Sequence, residues 1–271
     1  MLTILFFMAL QVTTPTEMAC IGSVRSSNVP MELYVAGVKG EGTLTLASQG
    51  QIVYLNGPGV SALKTGSVQR VIRPEGRIKN PSSGEKMGTY YKDIGTIQIE
   101  AVQAASATAR VLFSCQAMAI GDQVIPNSDY PAVEFNGDLS TELTPIPLNG
   151  VVSSILFGKD GLQELGHGQF CFIGLGGRDG VKAGDRLTVF RRHPPHDSAN
   201  MATLGMGTNL AYPSARNYAY RHNMDRLLHE RIVPPEILGD IVIVHAGDNV
   251  STAKIINSLS EIHPGDLVVK R

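Results

Sequence analysis

The chain repeats itself, and the repeat limits what it can fold into. Gly239-Asp-Ile-Val-Ile, Ser251-Thr-Ala-Lys-Ile and Gly265-Asp-Leu-Val268 lie without a gap on Gly95-Thr-Ile-Gln-Ile, Ala107-Thr-Ala-Arg-Val and Gly121-Asp-Gln-Val124. Ser258 falls on Ser114. Upstream, Gly180-Val-Lys-Ala-Gly184-Asp-Arg-Leu-Thr-Val-Phe-Arg191 reads like the stretch from Gly59 to Arg73, with extra residues before Gly66. A motif present in both copies belongs first to the architecture. A feature present in only one is the better candidate for function.

The repeat units are β-like. Gln51-Ile-Val-Tyr-Leu55, Val68 to Ile72, Thr96-Ile-Gln-Ile-Glu-Ala-Val102 and Thr108-Ala-Arg-Val-Leu-Phe113 are short apolar or alternating runs bounded by glycine turns. Five or so such strands per copy predict a small closed barrel, since closure removes the edges on which small sheets aggregate. The expected fold is all-β: two tandem small β-barrel domains, the second with a helical insertion. The expected division is a targeting segment over 1–19, a first β-domain over 31–125, a Pro-rich linker over 126–149 and a second β-domain over 150–271. Val71 and Val189, Ile97 and Ile241, and Val111 and Ile255 are expected at equivalent core positions.

Apolar residues make up 43% of the 271-residue chain and charged ones 17%, which supports packed cores and excludes a disordered polymer. A formal charge of −1 gives no field that would gather nucleic acid or an anionic membrane. The opening run, Met1-Leu-Thr-Ile-Leu-Phe-Phe-Met-Ala-Leu10, is too short to span a bilayer. It reads as an export signal that lacks basic residues before Arg25, or as a hydrophobic strand or tail. As a targeting device it would stay out of either core. Lipid attachment at Cys20 is a lesser form of the export reading. Cys115 and Cys171 read as buried free thiols, with a bridge between them left open.

Most motifs have an architectural explanation. The Gly-Asp steps at 121–122, 184–185 and 265–266 each precede an apolar strand, where an Asp side chain can lock a turn. Gly174-Leu-Gly-Gly-Arg-Asp-Gly180 fails as a dinucleotide loop, because the third glycine of that pattern would be Asp179. His229-Glu230 fails as a zinc-protease helix, because Val233 stands where the second histidine belongs. His193, His196, His222 and His229 cluster without an acidic or cysteine partner at helix spacing, so no metal or cofactor is expected. No Gly-x-Ser-x-Gly elbow and no readable Ser–His–Asp set is present. The basic stretches Arg70, Arg73, Arg77, Lys79 and Arg178, Lys182, Arg186, Arg191, Arg192 read as solvated barrel faces or, less simply, as a face for an acidic polymer.

The asymmetric feature is an insertion of copy two at about 193–236. The matching segment of copy one, 74–93, is about half as long. Ser214 as N-cap, then Tyr220, Met224, Leu227 and Leu228 at helical spacing, predict a short amphipathic helix. The insertion either packs on copy two or presents Tyr212, Tyr218 and Tyr220 as a partner surface.

Gly-Val-x-x-Gly-Asp-x-x-x-Val-x-Arg over Gly180 to Arg191, then Leu-Gly-x-Ile-Val-Ile, Ser-Thr-Ala-Lys-Ile and Glu-Ile-x-x-Gly-Asp-x-Val over Leu238 to Val268, resembles the C-terminal domain of flagellar assembly protein T. It is also similar to tandem modules in LysM-associated bacterial envelope proteins. No LysM pattern is read in this chain. The resemblance implies a small β-domain of the periplasm or outer envelope without catalysis, and transfers no active site. The expected function is a non-enzymatic envelope protein, exported, serving as partner-binding or structural adaptor and possessing no transmembrane span. Its expected partner is an envelope protein or peptidoglycan, and not nucleic acid. The alternatives are an envelope enzyme acting on glycan and a cytoplasmic ligand-binding module. Packing of residues 1–20 against a barrel would favour the last.

Overall fold

The structure, a computed structural model, describes residues 10–40, 45–128, 133–135, 137–146, 150–192 and 234–270. The N-terminal stretch holds β1 (Leu10–Gln11), helix α1 (Pro15–Ala19) and β2 (Ser23–Arg25). Next come β3 (Tyr34–Val38), β4 (Leu46–Ala47), β5 (Ile52–Asn56), β6 (Val68–Lys79), β7 (Lys86–Val102), β8 (Ser106–Ser114), β9 (Met118–Ala119) and β10 (Gln123–Pro126). After β11 (Glu134–Phe135) come β12 (Val152–Gly158), β13 (Phe170–Ile173), β14 (Arg186–Arg191), β15 (Glu236–Ala246), β16 (Ser251–Ser258) and β17 (Leu267–Lys270).

Two barrels close with one topology. Barrel 1 runs β7-β6-β10-β3-β5-β8 and shuts through β7 on β8. Barrel 2 runs β14-β17-β12-β13-β16-β15 and shuts through β15 on β14. Every neighbouring pair within the two barrels is antiparallel. The register repeats residue for residue. Gly95 faces Ser114 as Gly239 faces Ser258, and Ile97 faces Val111 as Ile241 faces Ile255. Bulges fall at the same places: Val35/Gly37 and Ile155/Phe157, then Val71/Ile72 and Val189/Phe190. A bulge bends one strand against its partner, which is how a short sheet turns the corner needed for closure.

The expected core pairs are all buried: Val71 and Val189, Ile97 and Ile241, Val111 and Ile255 are at most 1% exposed. Each lies in the cluster inside its own barrel. Truncating Ile241 to alanine is expected to cost about 2–5 kcal/mol, read as a shift of the urea midpoint. An unchanged midpoint would remove it from the core.

The Gly-Asp steps also act alike. Asp122 accepts the Ala119 N–H at 2.7 Å and holds Arg73 through Nε (2.7 Å) and Nη2 (2.8 Å). Asp266 accepts the His263 N–H at 2.7 Å and holds Arg191 through Nε and Nη2, both at 2.8 Å. Asp185 accepts the Lys182 N–H at 2.8 Å and Lys270 Nζ at 2.6 Å. The basic stretches are therefore only partly solvated faces. Arg73 and Arg191 are bidentate staples between the middle of β6 or the end of β14 and the turn before β10 or β17.

Two sequence expectations are corrected. Residues 12–19 do not stay clear of the cores: Val12 and Met18 are buried in a cluster between the barrels. Cys115 is no free thiol, since it bridges to Cys20. Cys171 is free and buried. The described part of the expected Pro-rich linker makes contacts of its own. Its β11 pairs with β1, and Ser140 is buried, donating both its N–H and its hydroxyl to Asp240. The insertion at about 193–236 lies outside the described residues up to position 233, so its expected helix and Tyr212, Tyr218 and Tyr220 do too.

Candidate functional site

Where the barrels meet, strands β6 and β7 of barrel 1 outrun the barrel as a hairpin. Its apolar side leans on the outside of barrel 2. Tyr90 stands edge-on to Phe157 and Phe172, each with centroids 5.1 Å away, and these two rings stack at 4.3 Å. Met87, Leu156, Val242 and Val244 complete the layer, with Met18 of α1. Burying each such side chain removes it from water at a gain of about 1.5–3 kcal/mol. The Tyr90 hydroxyl donates to the Ile21 carbonyl at 3.2 Å. Burial, with Asp160, Asp93 and Glu75 nearby, pushes its ionisation well up.

The repeat explains why only barrel 2 is covered. In register, Phe172, Val242, Val244 and Ile256 correspond to Tyr54, Gln98, Glu100 and Leu112. The covered face is apolar apart from Lys254, the equivalent of Arg110, which pairs with Glu17 of the N-terminal stretch. The uncovered one carries a Glu100–Arg110 pair and an exposed tyrosine.

The N-terminal stretch straps the junction. Thr14 and Glu17 form a capping box on α1. Glu17 also takes Lys254 of barrel 2 at 2.6 Å. Burial pushes the Glu17 carboxyl up, and the hydrogen bonds from Lys254 and Thr14 outweigh it, leaving it below the usual 4.5. One residue beyond α1, Cys20 is bonded to Cys115 at the end of barrel 1's β8. Gly22 N–H then donates to Asp93 at 2.8 Å, starting β2 against the hairpin.

These contacts leave a cleft of about 440 Å³. One wall is Ser23 to Ser27 of β2 and the adjoining turn. The other is His245 with the 247–250 turn joining β15 to β16, and Met87 and Ser128 also line it. Arg25 makes no ion pair among the described residues, whereas the neighbouring Arg70 bonds to Asp93 at 3.5 Å and to the Ser128 carbonyl at 2.7 Å. Burial holds the Asp93 carboxyl above its usual 3.8, against the pull of Arg70 and the Gly22 N–H. The glycine-rich loop at 174–180 positions the 247–250 turn. Gly177 N–H donates to Gly247 O at 2.8 Å and Arg178 N–H to Asp248 O at 3.2 Å. A β-carbon on Gly176 would meet Asp248 O at 2.2 Å, so only glycine admits that approach. The loop continues as a three-residue 3-10 turn, Gly177–Asp179, and not as a phosphate-binding helix.

His245 sits half-buried at this cleft. Desolvation, then the charges of Arg70 and Arg25, hold its pKa below the usual 6.5. A depressed value means that the unfolded chain binds the proton more tightly. The stability conferred by neutral His245 is therefore present above about 6.5 and lost as pH falls through the folded-state value. His245→Gln is expected to flatten the fall in urea midpoint between pH 7.5 and about 5. An identical fall in the variant would exclude His245 as its source.

A second hollow, about 460 Å³ and open, lies at the rim of barrel 2 beside Glu164, His167, Gln169 and Glu261. Among the described residues no group of three or more His, Cys, Asp or Glu is placed to hold a metal ion. No described helix is long and apolar enough to cross a membrane.

Sequence reasoning passed over Arg25 and His245. A signal for the histidine was present: it ends the apolar run Ile241-Val-Ile-Val, and copy one has Ala101 at that position. No protein-family model matches the chain, and no curated protein matches it.

Proposed function

We propose that the protein is a non-enzymatic adaptor of the bacterial cell envelope, exported to the periplasm or outer envelope, where it binds a protein partner or peptidoglycan. The observation that carries this reading is the Cys20–Cys115 disulfide, because such bonds persist in oxidising compartments. The likeness of the Gly180 to Arg191 and Leu238 to Val268 motifs to envelope modules supports it. So does the joining of two barrels through a buried aromatic layer, which suits a scaffold that presents fixed surfaces. Attachment of lipid at Cys20 drops out of the proposal, since its sulfur is bonded to Cys115.

A second reading, a ligand-binding module of the cytoplasm, is favoured by one observation. Val12, Met18 and Ile21 are buried, so this part of the N-terminal stretch belongs to the fold. Cell fractionation with thiol trapping separates the two. The envelope reading expects the protein outside the cytosol with Cys20 and Cys115 refractory to alkylation. Cytosolic protein with both thiols reactive would sink it. Co-sedimentation with purified sacculi then decides whether glycan is the partner, and deleting 200–231 tests whether the insertion with Tyr212, Tyr218 and Tyr220 contributes.

A further inference from the structure

We propose that the cleft between the barrels binds a phosphate-type oxyanion, held by Arg25 and His245 from opposite walls and by serine hydroxyls around them. This goes beyond the adaptor reading and does not depend on the compartment.

The chemistry of the lining points to the ligand class. Four serines, Ser23, Ser26, Ser27 and Ser128, supply rotatable hydroxyl donors. Arg25 supplies a planar guanidinium that no carboxylate of the described chain occupies, and such a fork pairs with two oxygens of a phosphate at once. His245 lines the cleft and adds a full positive charge once protonated. Among the described lining residues there is no Phe, Tyr or Trp ring on which a sugar or base would stack. At about 440 Å³ the space is large for one anion, so it accepts either free phosphate or the phosphate of a larger molecule.

Arg25 forms no ion pair among the described residues and acts on Asp93 only through its charge. Among the described residues the ionic groups around the cleft are Arg25 on β2, Arg70 on β6, Asp93 on β7 and Asp248 in the 247–250 turn. Asp93 is already taken by Arg70 and the Gly22 N–H. Asp248 is exposed at the mouth. Two guanidiniums then bear on His245 and oppose its protonation. An anion seated between Arg25 and His245 reverses this, since it stabilises the imidazolium. Binding and protonation of His245 are therefore linked, and affinity rises as pH falls through the His245 titration.

The site is built only when the barrels are joined. Its lining comes from the N-terminal stretch, from barrel 2, from the barrel 1 hairpin and from the chain leaving barrel 1. An oxyanion there bridges all of them, so occupancy also stabilises the junction.

The test uses the full chain with inorganic phosphate, following His245 by NMR. The expected result is that phosphate moves the His245 titration midpoint upward by about one pH unit and raises the thermal midpoint more at pH 6 than at pH 8. Arg25→Gln is expected to weaken phosphate binding about tenfold or more, and Arg25→Lys to weaken it less. If saturating phosphate leaves the His245 midpoint unmoved, the proposal is overturned, with no variant needed. Equal phosphate stabilisation of wild type and Arg25→Gln overturns it as well, by showing a generic salt effect. Neutral vesicles with and without phosphatidate distinguish the source. Arg25-dependent binding to phosphatidate vesicles assigns the ligand to a headgroup, whereas a phosphate response without vesicle binding assigns it to a soluble phosphate. Both support the shared chemistry. Vesicle binding without any phosphate response overturns it. Failure of envelope localisation would leave this result untouched.

Discussion

Replacing Gly239 by valine is expected to prevent barrel 2 from closing. A β-carbon at this position would lie 2.1 Å from the Asn257 carbonyl oxygen and 3.1 Å from Ser258 Cα. Those are backbone atoms of the neighbouring strand, so no side-chain rotation relieves the clash. Strand β15 must move off β16 at the point where Gly239 faces Ser258. Overpacking, backbone strain and lost ladder hydrogen bonds together reach about 5 kcal/mol, comparable to the whole stability of many domains. Gly95→Val should do the same to barrel 1, where the β-carbon meets Phe113 O at 2.2 Å. Gly76→Val is the control: it lies in β6 with no atom within 4 Å of its would-be side chain. Far-ultraviolet circular dichroism and urea titration check all three. A Gly239→Val protein with wild-type midpoint would mean that β15 and β16 are not in the register described.

Loss of the Cys20–Cys115 disulfide is expected to cost about 4–5 kcal/mol on the chain-entropy account, since it closes a loop of 95 residues. The double variant Cys20→Ala with Cys115→Ala avoids stray thiols and leaves buried Cys171 alone. Released from barrel 1, α1 still has Met18 in the junction and Glu17 on Lys254, so part of the strap holds. The first consequence should thus be loosening of the junction, seen as faster amide exchange in the hairpin around Tyr90 and in the 247–250 turn. Each barrel keeps its own closed sheet. Matching urea midpoints for oxidised and reduced protein would show that the bond adds nothing to stability.

The barrels were legible because their determinants are local and occur twice. Alternation over Thr96 to Val102 marks one buried face, and the shared spacing from Gly95 to Ser114 and from Gly239 to Ser258 carries the register. The hairpin extension was not legible. Its strands contain Pro74, Glu75, Gly76 and Arg77, a polar run without alternation that is held by pairing with Gly88 to Tyr91 and by the aromatic contact with barrel 2. The basic stretches were misjudged for a similar reason. Arg73 and Asp122 are far apart in the chain, and nothing in a local window says that one consumes the other's charge.

The repeat, the turns and the core pairs Val71/Val189, Ile97/Ile241 and Val111/Ile255 were determined by sequence alone, because side-chain period and turn chemistry act over a few residues. The tertiary structure alone decided what happens between the barrels. There Cys20 finds Cys115, Tyr90 finds Phe172, and Arg25 comes to face His245 across a cleft. These partners are separated by tens to hundreds of residues, and their meeting depends on where a whole hairpin and a whole strap come to rest. The apolar face of barrel 2 settles that, since Phe172, Val242 and Val244 must be covered, whereas Tyr54, Gln98 and Glu100 at the same positions of barrel 1 tolerate water.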